Sequence, residues 1–99
     1  MNQNAMNQNP TPEQPDTLIE FPCHYELKAM GSHCETFIEL VYSVTQKHVP
    51  EVEREAIRLN PSKNGKYVSV KIKFYATQIE QIHGIYGELN DHPDVLWTL

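Results

Sequence analysis

From Glu20 onward the chain repeats one pattern twice: an alternating apolar segment, a helical segment opened by a capping signal, and a second alternating segment, with the copies meeting at Asn64-Gly65. An Asn-Gly pair supplies the positive φ angles that a tight hairpin needs, so the segments on either side of it are read as antiparallel neighbours. Two strand–helix–strand units in this order predict an α+β, ferredoxin-like βαββαβ sandwich. Its four-stranded antiparallel sheet has the spatial order 4-1-3-2, and both helices lie on one face.

After Pro22 the period is two, with Tyr25, Leu27 and Ala29 on one side and His24, Glu26 and Lys28 on the other. Gly31 lets the chain turn, and Ser32 with Glu35 forms an S-x-x-E capping box for a helix. Phe37, Leu40, Val41 and Val44 make its buried stripe, and Pro50 ends it. Val52 to Leu59 is ambiguous by propensity and is read as a charged edge strand, in which Glu51, Glu53 and Glu55 discourage sheet-to-sheet pairing. Tyr67 to Tyr75 is the clearest strand: Val68, Val70, Ile72 and Phe74 face the core, and Ser69, Lys71 and Lys73 face water. Thr77 with Glu80 opens the second helix, and Ile79, Ile82, Tyr86 and Leu89 form its stripe. Asn90 or Asp91 closes that helix before Pro93. In the last strand Val95, Trp97 and Leu99 are read as inward, and Leu96 and Thr98 as outward.

A chain of 99 residues buries only about 60–65% of its unfolded surface, which leaves a thin core and no deep enclosed cleft. Residues 1–17 hold a doubled Met-Asn-Gln-Asn and three prolines with almost no apolar side chain, the composition of a disordered tail, so the single domain is placed at 18–99. The net charge of −5 disfavours polyanions unless the basic residues gather on one face. No apolar run reaches the roughly 20 residues of a membrane span, and the N-terminus lacks the basic and apolar regions of a secretory signal. A cytoplasmic location is the expectation. Cys23 should open the first strand and Cys34 the first helix, too far apart for a disulfide.

The segments Ile19-Glu20-Phe21-Pro22, Met30-Gly31 and Gly65-Lys66-Tyr67-Val68-Ser69-Val70 resemble the YbeD-like family of small bacterial proteins, as do Ala76-Thr77-Gln78-Ile79-Glu80-Gln81 and Ile85-Tyr86-Gly87-Glu88-Leu89. The similarity runs over nearly all of residues 18–99. It implies a ferredoxin-like fold similar to the ACT regulatory domains of amino-acid enzymes. It implies no established activity, only a suggested regulatory link to lipoate metabolism, and no catalytic residues to carry over.

Two surfaces are candidates for binding. In ACT-like domains an effector sits at the turn from the first strand into the first helix, which here is Met30, Gly31, Ser32, His33 and Cys34. Gly31 would let a ligand approach the backbone, and the N–H groups of the helix start would favour a carboxylate or phosphate. The plainer reading is that Gly31 makes a turn and Ser32 caps the helix. The second surface is the open sheet face: His24, Glu26, Lys28, Tyr67, Ser69, Lys71, Lys73 and Tyr75. RNA-recognition domains stack bases on such a face, but Ser69 stands where the second stacking ring belongs.

The five histidines and two cysteines lack the spacing of metal ligands. No nucleophile elbow, P-loop or thioredoxin-type pair is present, and Cys34 is the one thiol at a helix start. The expectation is therefore a non-enzymatic regulatory module, without cofactor or metal, as a monomer or homodimer. It would sense a small anionic metabolite or dock on a metabolic enzyme. The alternatives are a protein-interaction module using the sheet face or an edge, and, third, an RNA-binding domain.

Overall fold

The computed structural model describes residues 20–98, with element order β1 (Cys23–Ser32), α1 (Glu35–His48), a short 3-10 turn (Arg54–Ala56), β2 (Ile57–Pro61), β3 (Tyr67–Ala76), α2 (Ile79–Asn90) and β4 (Val95–Thr98). The sheet order is β2-β3-β1-β4, with every neighbouring pair antiparallel. This is the expected βαββαβ arrangement. The tail at residues 1–17 and the side chain of Leu99 lie outside the described residues.

β1 and β3 form the centre of the sheet, joined over ten residues each from Cys23↔Ala76 to Ser32↔Tyr67. Side chains alternate across a strand, so Leu27 and Ala29 share the helix face with Val68, Val70 and Ile72, and all five are buried. α1 presses Phe37, Val41 and Val44 onto that face, and α2 adds Ile82, Ile85 and Leu89. Inside α1 the buried Thr45 is satisfied by donating to the Val41 carbonyl at 2.8 Å. Gly65 takes φ +75 in the turn between β2 and β3, where a side chain would be strained.

Five expectations change. β1 runs through Ser32, so Ser32 is spent on pairing with Tyr67 and the N-cap of α1 is Cys34, which makes no side-chain cap; no Ser32–Glu35 box forms. α2 starts one residue later than Thr77 suggested. Its N-cap is Gln78, and the Gln81 side-chain oxygen accepts from the Thr77 and Gln78 N–H groups. The edge strand begins only at Ile57, because Arg54–Ala56 winds as a 3-10 turn. Glu51, Glu53 and Glu55 therefore lie in the α1–β2 connection and not along a strand.

The last strand differs most. Gly31 pairs with Val95, but Met30 pairs with Trp97 and Ala29 with Thr98, so Leu96 is an extra residue in a bulge. A one-residue slip exchanges the two faces of a strand. Trp97, expected in the core, is 40% exposed on the open face beside Met30. Thr98, expected outside, turns to the helices, where its hydroxyl is 3.1 Å from the Asn90 side-chain oxygen.

The core also recruits residues beyond the predicted stripes. Val49 and Val52 close it from the connection after α1, and Tyr42 donates its hydroxyl to the Val52 carbonyl at 3.2 Å. Arg54 straps the same connection to α1 through a two-pronged pair with Glu39, its guanidinium 4.5 Å from the Tyr42 ring centre. That bond holds the Glu39 carboxyl below the usual range.

Candidate functional site

The five residues of the proposed ligand turn are dispersed by the way β1 ends. Met30 is on the open face, between Ser69 and Trp97. Gly31 is buried on the helix side, and a Cβ there would lie 2.5 Å from a ring carbon of Phe37 and 2.7 Å from the Asp94 carbonyl. Its glycine is thus explained by the closure of α1 and the α2–β4 turn over the strand. Ser32 is the last β1 residue, the His33 N–H donates to the Lys66 carbonyl at 3.0 Å, and Cys34 is exposed at the start of α1. What remains for a ligand is the first turn of α1, whose N–H groups receive no side-chain cap.

The open face is the more developed surface. Register sorts it into rows that cross the strands. His24 faces Tyr75 with ring centres 5.0 Å apart. Glu26 then faces Lys73, an opposite-charge pair. Next comes Arg58–Lys71–Lys28, three cations on adjacent strands. Beyond it lie Asn60–Ser69–Met30 and, on β4, Trp97; last is Tyr67 opposite Ser32.

The cation row is unusual because its members have no counter-ion among the described residues. Among the described residues Lys47 is paired with Glu88 at 3.2 Å and Arg54 with Glu39, both on the helix side of the molecule. Among the described residues no ion pair involves Lys28, Arg58 or Lys71; Arg58 bends back onto the carbonyls of Glu55 and Ile57 at 2.7 and 3.0 Å. Like charges directly opposite each other across strands are destabilising, by roughly 0.2–1 kcal/mol per contact. Sequence reading found Lys28 and Lys71 on this face and missed Arg58 and Trp97. Arg58 needed the β2 register and Trp97 the bulge, and neither is encoded in local pattern.

A third feature is a cleft of about 410 Å³ where the α1–β2 connection peels away from β3. Val49, Val52, Ala56 and Phe74 wall it, with Glu51, Glu53 and Glu55 among its lining. It lies apart from the ligand turn. Among the described residues no group of three His, Cys, Asp or Glu side chains converges as a metal set. Behind the sheet, burial and a 3.1 Å hydroxyl bond to Tyr25 push the Tyr86 phenol far above its ordinary pKa, so Tyr86 stays neutral.

The family model described as a protein of unknown function, DUF493, matches residues 16–99. The chain belongs to the DUF493 family. Its YbeD-like character shows in UPF0250 proteins: one from Azotobacter vinelandii is 40% identical over 72 residues, covering 72% of this chain and 78% of that protein. Another from Nitrosomonas europaea is 32% identical over 84 residues, covering 85% and 97%. The solution structure of protein HP0495 from H. pylori superposes with a TM-score of 0.62 at 18% identity, over 93% of this chain and 98% of that one. That likeness supports the ferredoxin-like fold of this chain. The family is uncharacterised, so the reading of the surfaces stands on their own chemistry. No helix among the described residues is long and apolar enough to cross a membrane.

Proposed function

We propose that this DUF493 protein is a non-enzymatic regulatory module that works by docking its helix-free sheet face onto a protein partner. The observation that carries the reading is the exposed Trp97, brought by the β4 bulge onto the same face as the uncovered cations. A large ring left partly in water beside charged groups is the composition of binding surfaces, where aromatic anchors carry much of the affinity. The YbeD-like resemblance, with its suggested tie to lipoate metabolism, favours a metabolic enzyme as the partner, and the ACT-like build favours regulation over chemistry. Titrating purified lipoate-handling enzymes into the isotope-labelled chain should broaden the amides of Lys28, Met30, Lys71 and Trp97 and spare α1 and α2. Broadening confined to the helices, or none with any of these enzymes, rejects docking through this face.

One observation favours a second reading, in which a small anionic metabolite binds at Met30 to Cys34: the first turn of α1 offers uncapped N–H groups. Amino acids and lipoate-like acids would then shift the amides of His33 to Thr36. A panel of such acids that leaves these signals in place removes the effector reading.

A further inference from the structure

We infer that the segment received by the open face is acidic: a stretch of partner polypeptide whose carboxylates seat on the Arg58–Lys71–Lys28 row while an apolar side chain lies against Trp97. This deepens the docking proposal and rests on it. The chain carries 13 acidic and 8 basic residues, so a basic spot must be built by placement and not by composition. Four of those basic residues, Lys28, Arg58, Lys71 and Lys73, share the open face, where Glu26 is the one carboxylate among the described strand residues and stands opposite Lys73. On the helix side, by contrast, Lys47 and Arg54 have glutamate partners. A counter-ion supplied from outside would complete the pattern.

The row's dimensions select the kind of anion. Strands are about 4.8 Å apart, so three cations on adjacent strands span about 10 Å, more than one carboxylate or phosphate bridges and suited to several carboxylates along a chain. Trp97 stands in the next row, beyond Met30, within reach of the same segment. A nucleic acid of equal charge is less well served. The exposed rings Tyr75 and Trp97 lie three rows apart, about 20 Å, with only His24 beside Tyr75 and the half-buried Tyr67 beyond Trp97, and Ser69, between Met30 and Asn60, is 4% exposed and offers no ring, so the middle of the face gives successive bases no continuous platform.

The chain has a single tryptophan, Trp97, so its fluorescence reports on this face directly. The probes are three synthetic molecules of similar length: an alternating glutamate–leucine peptide, its glutamine–leucine counterpart, and oligouridylate. The glutamate peptide should change Trp97 emission and shift the amides of Lys28, Arg58 and Lys71. Its affinity should fall about tenfold or more in Lys71→Glu, as loss of a charged hydrogen bond implies, and persist in the helix-side control Lys47→Glu. Raising salt from about 20 mM to about 300 mM should weaken it strongly. Lys71→Gln, checked like the other variants for an unchanged circular dichroism spectrum, gives an intermediate loss. An equal response to the glutamine peptide, or an affinity untouched by Lys71→Glu, overturns the inference. Tighter binding of oligouridylate overturns it in favour of nucleic acid. Enzyme-induced broadening of the face that survives both Lys71→Glu and high salt would overturn the acidic segment and leave docking standing, whereas broadening on the helices would remove both.

Discussion

At the scale of single residues, one glycine and one glutamate explain how the two helices meet. Gly84 of α2 leaves room for the His48 ring at the end of α1, and a Cβ there would run into that ring. His48 in turn reaches Glu88 at 2.6 Å, and Lys47 reaches the other oxygen of the same carboxylate at 3.2 Å. Gly84→Ala should therefore push the His48 ring aside and loosen its bond to Glu88, cancelling the gain of about 1 kcal/mol that alanine otherwise brings over glycine inside a helix, so that urea denaturation shows no net stabilisation. The bonds from His48 and then Lys47 hold the Glu88 carboxyl below its ordinary value. A folded-state pKa lower than the unfolded one adds stability above the unfolded value and loses it as the pH falls through the folded value. The wild-type chain should show this loss in acid, beginning near the ordinary 4.5 and extending below it, and Glu88→Gln should lack that part of the profile in thermal melts followed by circular dichroism. His48 and Glu88 were legible as residues, but their partnership spans 40 positions and depends on how two helices cross, which no local pattern states.

Secondary elements were legible where a period ran uninterrupted. β3 shows this: its side chains change sides over ten residues, and Val68, Val70, Ile72 and Phe74 are buried as the pattern requires, although Ser69, expected in water, is covered between Met30 and Asn60 on the open face. The pattern misled where backbone geometry broke the count. In α2 the inward line is Ile82, Ile85 and Leu89, while Ile79 and Tyr86 are half-buried, because the helix packs against a sheet and a second helix and so presents a broader face than a single stripe. In β4 the extra Leu96 turns Trp97 outward. The two readings separate in one experiment. Ile85→Ala should cost about 2–5 kcal/mol, as a fully buried aliphatic truncation does, whereas Trp97→Ala should cost well under that, both measured by chemical denaturation. A Trp97 cost as large as that of Ile85 would contradict the outward placement.

For the whole molecule, charge is segregated by side: described cations on the helix layer meet glutamates, and the three across the sheet do not. The folded chain tolerates this because those side chains stay partly hydrated, where repulsion is modest. Relieving it should still register. Lys71→Gln should stabilise the protein by a few tenths to about 1 kcal/mol at low ionic strength, a gain that shrinks on adding salt, followed by the midpoint of thermal unfolding. A variant that is more stable yet binds acidic peptide less well is the signature of a surface kept for recognition. This surface was only half visible in the sequence, since alternation put Lys28 and Lys71 outside but could not align them with Arg58.

The bulge in β4 has a bearing on how such chains can vary in length. Leu96 has no partner of its own in the β1–β4 register, so removing that one residue would leave Val95 opposite Gly31 and the indole opposite Met30, a regular ladder with every neighbour retained. Loss of a codon here, unlike nearly anywhere else in a paired strand, would be absorbed without reversing what the terminal strand shows to the outside.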